Sequence, residues 1–158
     1  MVLVGTPDPS NPRQVPQEQV EAWAREGIVE WWGQRTDMPT VLALSTLVVL
    51  PSYREGLPRV LIEAAASGRA MIAADAPGSR EVVQHGVTGL LVPVRDAGAL
   101  ADAIGDLLND APLRTRLAVA ARRLAVDEFA ATSVNRRTLA IYREMLGPRW
   151  PTGSGAGS

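Results

Sequence analysis

Residues 47–68 read LVVLPSYREGLPRVLIEAAASG, and the fold turns on them. Four apolar residues, Leu47 to Leu50, run into Pro51. An uninterrupted apolar run stopped by a turn former is the pattern of a strand buried on both faces of a parallel sheet. A short polar loop follows, then an apolar-periodic segment that Gly68 closes. Pro58 suits the first helical position, where its missing N–H costs nothing. The unit is therefore strand, loop, helix, with the loop at the carboxyl end of the strand, where open α/β sheets bind ligands.

Two carboxylates mark this unit. Glu55 lies in the loop, and Glu63 follows eight positions later in the helix. Amide N–H groups at a helix start hold phosphate oxygens. Carboxylates only accept hydrogen bonds, so they suit the hydroxyls of a sugar or ribose and not the phosphate itself. Loop carboxylate, helix start and second carboxylate together fit one phosphorylated, hydroxyl-rich ligand.

On the amino-terminal side, Met1 to Val4 predicts a strand ended by Gly5, and residues 6–16 form a loop with four prolines. Gln17 to Glu26 predicts a helix with Val20, Trp23 and Ala24 inward, and Ile28 to Trp32 a strand ended by Gly33. Trp31 and Trp32 alternate across that strand, so one is expected in the core and the other at a cleft or interface. Asp37 is placed to cap a short helix through Met38 to Ala43. On the carboxyl side come a strand, Ala70 to Ala74, and a loop with Pro77-Gly78 as a turn. Ser79 is the expected cap of a short helix through Val83, and a strand from Leu90 to Val92 follows. Strand and helix alternate four times with short links, which predicts a parallel sheet covered on both faces, an α/β Rossmann-like fold. Three amphipathic helices, 96–109, from Pro112, and from Thr132 or Ser133 to Leu146, are expected to cover the sheet. Residues 148–158, ending TGSGAGS, read as a flexible tail.

Length and composition narrow the function classes. A chain of 158 residues predicts one domain, here 1–147, and an aromatic content of 4% leaves the core to aliphatic side chains. A net charge of −1 offers no general attraction to nucleic acid or anionic lipid. No cysteine is present, so disulfides, thiol nucleophiles and cysteine metal sites are excluded, and a reducing compartment is compatible. MVLVG does not read as a signal peptide, and no apolar run reaches membrane-spanning length. No Asp/His cluster at ligand spacing, P-loop or dinucleotide fingerprint appears.

These segments resemble, in order, the carboxyl-terminal, nucleotide-sugar-binding half of retaining glycosyltransferases of the GT-B architecture, specifically glycosyltransferase family 4. VEWWGQRTDM is similar to the family's strand-Gly-x-x-x-Asp-Met segment. LPSYREGLPRVLIEAAASG resembles its PS-x-x-EG-x-P-x-x-x-x-E-A-x-x-x-G block, and IAADAPGSREVVQHGVTGLLVP the D-x-PG-x-x-E…G-x-x-G-x-L-V block that follows. The likeness covers about residues 1–146.

The resemblance implies that Glu55 contacts hydroxyls of the transferred sugar near its reacting carbon and is the catalytic candidate. It implies that Gly56 and Leu57 lie beside sugar and diphosphate, with Ser52 at the strand end in the same donor-contacting set. Glu63 would hold the ribose hydroxyls, and Gly33 to Arg35, including Gln34, would approach the base. The donor would be a UDP- or GDP-sugar, the acceptor a glycan or lipid hydroxyl, and no metal or other cofactor is expected. No nucleic-acid partner is expected, and the intact enzyme would work in the cytoplasm, with peripheral contact at the inner membrane face. Assembly of bacterial surface polysaccharide or glycolipid is the implied setting.

Three departures accompany the likeness, the mildest being Arg69 and Ala70 where relatives often have Gly-x-Pro-Val, which is expected to alter a turn and not the site. The family's upstream Arg/Lys pair, which neutralises the diphosphate, does not precede Val2, and the amino-terminal acceptor domain has no counterpart. The expectation is a donor domain without its first strand or acceptor domain, retaining a nucleotide-binding fold but weak or inactive in transfer. Arg54 and Arg59 flank the loop and are placed to replace part of the missing charge. Glu81 reads as a brace of its local helix and His85, the only histidine, as a turn residue. The alternatives are a non-enzymatic nucleotide-sugar-binding or interaction module and a fragment of a sugar-nucleotide epimerase. Hydrolysis by paired carboxylates is disfavoured, because Glu63 falls at the phosphate end of the expected ligand.

Overall fold

The computed structural model describes residues 1–7 and 14–147. Most of the proline-rich loop and the expected tail, 148–158, lie outside them. The chain divides into two compact units, Met1–Val41 and Leu42–Ser158.

In the first unit, strand β1 (Val2–Leu3) pairs in parallel with β2 (Glu30–Trp31), and helix α1 (Gln17–Arg25) connects them. Both strands are shorter than the apolar runs that predict them. Trp31 donates its indole N–H to the Gly5 carbonyl at 2.8 Å, and Trp32 donates to Glu30 Oε2 at 3.1 Å. Both rings are half-buried with their polar edges satisfied, so the expected split into one core and one cleft tryptophan does not occur.

Helix α2 spans Met38–Leu44. Asp37 does not devote its carboxylate to capping it. Arg35 takes both oxygens, Nε to Oδ1 at 2.8 Å and Nη2 to Oδ2 at 2.7 Å. A two-point charged pair outcompetes a single neutral amide donor.

The second unit holds a three-stranded parallel sheet in the order β3 (Leu47–Leu50), β4 (Ala70–Ala74), β5 (Leu90–Val92). Leu47 pairs with Ala70 at one end of the first ladder and Ala74 with Val92 at one end of the second. All five residues of β4 are buried, as its unbroken apolar run requires of a central strand. Ala70, Ile72 and Val92 pack with Ala103, Leu107 and Leu117 from α5 (Ala97–Asn109) and α6 (Ala111–Leu124). The alternation of strand and helix thus builds the α/β, Rossmann-like arrangement, with its hydrogen-bonded ladders in two sets, β1–β2 and β3–β4–β5.

Caps explain several boundaries. Asp96 accepts from the Ala99 N–H at 2.9 Å and Asp110 from the Leu113 N–H at 2.8 Å, so each aspartate opens a helix. Pro58 stands one position earlier than expected, as the cap of α3 (Arg59–Ala66), its carbonyl accepting from the Leu61 N–H at 3.1 Å.

Three carboxyl-terminal expectations change. Helix α4 runs Pro77–Arg80, and Ser79 is a fully buried residue inside it rather than its cap. The proline supplies the helical φ, so the helix starts without a side-chain cap. Helix α6 passes into a π-helical turn, Ala125–Phe129, before α7 (Ala131–Leu146), which opens on Ala130 without a side-chain cap. Val134, Leu139, Ile141 and Tyr142 of α7 are exposed. Helical spacing identifies an apolar face without saying what covers it, and here the sheet does not. Among the described residues no helix is long and apolar enough to cross a membrane.

Candidate functional site

The parallel sheet delivers its loops to one end. Residues 51–58 leave the carboxyl end of β3, residues 75 and 76 that of β4, and residues 93–96 that of β5. These are the elements a ligand meets at the mouth of an α/β sheet.

The loop after β3 keeps its polar groups available. Glu55 is half-buried and Glu63 is exposed, and neither carboxylate has a hydrogen bond or ion pair among the described residues. The buried face of α3 consists of Leu61, Ala64 and Ala65, which leaves Arg59 and Glu63, one turn apart, on its solvent side. The amides of Gly56, Leu57, Arg59 and Val60 also have no acceptor among the described residues. For Arg59 and Val60 the cause is geometric, since the first N–H groups of a helix have no intrahelical acceptor and Pro58 supplies no side-chain cap. Free donors at the start of α3 are therefore flanked by two free acceptors, Glu55 before the helix and Glu63 just over one turn into it. That combination serves phosphate oxygens and hydroxyls at once.

The position of this loop depends on a residue that sequence reasoning treats only as part of a turn. A Cβ added to Gly78 would overlap the carbonyl oxygens of Glu55 and Gly56 and lie 2.7 Å from the Glu55 carbonyl carbon. Only glycine lets α4 approach the Glu55–Gly56 backbone so closely. The Pro-Gly dipeptide signals a turn, but nothing local to it reveals which distant backbone it meets.

The neighbouring side chains are arranged differently. Asp75, just past β4, is held by Arg80 at 2.5 and 3.1 Å, and the Arg80 hydrogen bond draws its carboxyl below the usual carboxylate range. The Arg95 guanidinium lies 5.3 Å from the centroid of the Tyr53 ring, so two of the loops touch through a cation–aromatic contact. Arg54 and Arg59 are exposed and unpaired among the described residues. Ser52 is half-buried at the strand end. Glu81 terminates α4 through its backbone, while its side chain is exposed without a partner, so it does not brace the helix as expected. His85 accepts from the Leu91 N–H on Nδ1 at 3.0 Å, which makes it a turn residue.

Ser52, Glu55, Gly56, Leu57 and Glu63 are thus brought together on one loop and helix of the second unit. Gly33 and Arg35 belong to the first unit. There Gly33, at φ 61°, accepts from the Gly5 N–H at 2.7 Å, and Arg35 is committed to Asp37. That pair draws the Asp37 carboxyl down and pushes Arg35 up, through the side-chain hydrogen bond first.

Residues 1–110 match the family described as glycosyl transferases group 1. The chain belongs to that family. It is 32% identical over 145 residues to the N,N'-diacetylbacillosaminyl-diphospho-undecaprenol alpha-1,3-N-acetylgalactosaminyltransferase of Campylobacter jejuni, covering 92% of this chain and 37% of the relative. The alpha-maltose-1-phosphate synthase of Mycolicibacterium smegmatis is 34% identical, with coverages of 92% and 40%. Among solved structures, Anabaena Alr3699/HepE in complex with UDP superposes with a TM-score of 0.81 at 28% identity, covering 90% of this chain and 40% of that one. The same protein is also known in complex with UDP-glucose. This group 1 glycosyltransferase chain spans 40% or less of the length of these relatives.

Proposed function

We propose that this chain binds the nucleoside-diphosphate-sugar donor of a retaining glycosyl transfer, in the loop between β3 and α3. The observation that carries the reading is the set of free groups there: unpaired amides at the start of α3, between two carboxylates that pair with nothing among the described residues. The donor's diphosphate lies against the amides of Gly56, Leu57, Arg59 and Val60, beside Ser52, and its ribose hydroxyls donate to Glu63. Glu55 accepts from hydroxyls of the sugar near the reacting carbon. Gly33 and Arg35 lie in the other unit, where the Arg35 guanidinium stays on Asp37.

In the transfer, an acceptor hydroxyl oxygen of a glycan or lipid bonds to the anomeric carbon on the face the diphosphate leaves. The carbon–oxygen bond electrons depart with the diphosphate, which also takes the hydroxyl proton. The protein's part is to stabilise negative charge on the leaving group with preorganised donors. Amides, Arg54 and Arg59 supply that here, and the reading calls for no divalent ion. The acceptor is held by the remainder of a longer enzyme, working in the cytoplasm or at its membrane face. This chain by itself binds donor nucleotide and transfers sugar weakly or not at all.

Calorimetric titration with UDP and GDP tests the reading. Saturable binding of one of them, weakened by Glu63→Ala and insensitive to chelator, is expected. Absence of binding to either would sink it, and rapid transfer by this chain to glycan or lipid acceptors would overturn the claim about activity.

A further inference from the structure

The other end of the β3–β4–β5 sheet holds a cleft of about 250 Å³ lined by Thr46, Arg69, Ala70, Arg114, Thr115 and Arg122 among others. Thr46 immediately precedes β3, and Ala70 begins β4 opposite Leu47. The cleft is therefore at the amino ends of the strands. The length of β4, roughly 16 Å at about 3.3 Å per residue, separates it from the loops at the carboxyl ends.

Three arginines line it, and among the described residues no carboxylate does. Each is fixed by a backbone carbonyl near a helix carboxyl end. Arg69 donates to Ser45 O at 3.0 Å and Ser67 O at 3.2 Å, Arg114 to Leu107 O at 2.5 Å, and Arg122 to Ala66 O. None of the three forms an ion pair among the described residues.

Carbonyls position these cations without neutralising them. The ends of α2, α3 and α5 offer roughly half a negative charge each, against three full positive charges, which leaves an excess of about +1.5. A guanidinium carries five N–H donors, and the carbonyl bonds use only some of them. The cleft is thus a preorganised, electropositive concavity with spare donors and two threonine hydroxyls, matched to a phosphate group of about −1.5 to −2 charge.

We propose that this cleft is a second ligand site, remote from the donor loop, for a phosphate dianion: inorganic phosphate or a phosphate monoester. Arg69, Arg114 and Arg122 pair with its oxygens, and the Thr46 and Thr115 hydroxyls complete the shell.

The test titrates the full chain, saturated with UDP so that the donor loop is occupied, with inorganic phosphate. Sodium chloride at matched ionic strength is the control. Phosphate at about ten times its dissociation constant should raise the unfolding midpoint by about 5 °C, and chloride should not. Thr115→Glu places a carboxylate among the three cations and should abolish the phosphate response. Arg122→Gln should weaken it about tenfold. Should Thr115→Glu fail to fold, Arg122→Gln alone decides.

Glycerol 3-phosphate and vesicles containing phosphatidic acid distinguish the sources. Soluble-monoester binding without vesicle sedimentation assigns the site to a free phosphate compound. Sedimentation reversed by inorganic phosphate assigns it to a lipid headgroup. Equal responses to phosphate and chloride, or substituted chains that respond as the parent does, would overturn the proposal.

Discussion

The two ends of the β3–β4–β5 sheet are built from the same elements and differ in what they leave unsatisfied. In parallel strand–helix units the helices return antiparallel to the strands. Helix amides therefore gather where the strands end, and helix carbonyls where they begin. At the strand ends the start of α3 is left bare, with two carboxylates beside it free of partners among the described residues. At the strand starts the helix-end carbonyls of Ser45, Ala66, Ser67 and Leu107 are answered by arginines. Cationic side chains belong at helix carboxyl ends, so those arginines first serve the fold. One end leaves its polar groups unpaired, and the other invests them in the helices and has positive charge left over.

Under this division, damage beneath the arginine end should cost stability without affinity. Leu117 of α6 is fully buried against the sheet. Leu117→Ala should lower unfolding free energy by about 2–5 kcal/mol, measured by urea denaturation. UDP affinity of the folded fraction should be unchanged. An equal loss of affinity would mean that the two ends are one cooperative unit and the comparison fails.

Gly78→Val should do the reverse in emphasis. Its side chain collides with the Glu55 and Gly56 carbonyls, and backbone cannot yield as a flexible side chain can. UDP affinity should fall by about 100-fold through displacement of the amides and Glu55, with about 1–3 kcal/mol lost in stability. Unchanged affinity would show that the loop's position does not matter to the nucleotide. Glu63→Ala is the more selective probe. Under the proposed binding mode, losing this carboxylate should weaken UDP about tenfold, with stability changed by less than about 0.5 kcal/mol because the side chain is exposed.

The contrast between the ends also separates what the sequence makes legible from what it hides. The run LVVL and the spacing from Glu55 to Glu63 act over a few residues, and local patterns suffice to read them. The approach of Gly78 to residue 55 spans 23 positions and has no local signature beyond a turn dipeptide. The arginine cleft draws on positions 46, 69, 114 and 122, each ordinary in its own segment. Ser79 and Asp37 misled for a related reason. Both residue types favour caps, yet one is carried inside α4 by the preceding proline and the other is claimed by Arg35. Exposure of α7 was illegible for another cause, because periodicity describes a face and leaves its partner unspecified.

The smallest expected effect concerns Asp75, a carboxylate at the ligand end that, unlike Glu55 and Glu63, does have a protein partner. Arg80 holds it by two hydrogen bonds, and its pKa is lowered chiefly for that reason. A carboxyl with a depressed folded pKa contributes stability fully above its unfolded value of about 3.9 and loses it as pH falls through the folded value. The difference in unfolding midpoint between the parent chain and Arg80→Ala should therefore be constant from neutral pH to about pH 5 and shrink below about pH 4. Both side chains are well exposed, at 58% for Arg80 and 40% for Asp75, so the difference is small throughout and falls further with added salt. Arg80→Ala should leave UDP affinity near the parent value if the nucleotide is held through the unpaired carboxylates, as proposed. A strong loss of UDP affinity on this substitution would place Arg80 among the ligand's own contacts, and the paired and unpaired acids at that end would no longer divide by role.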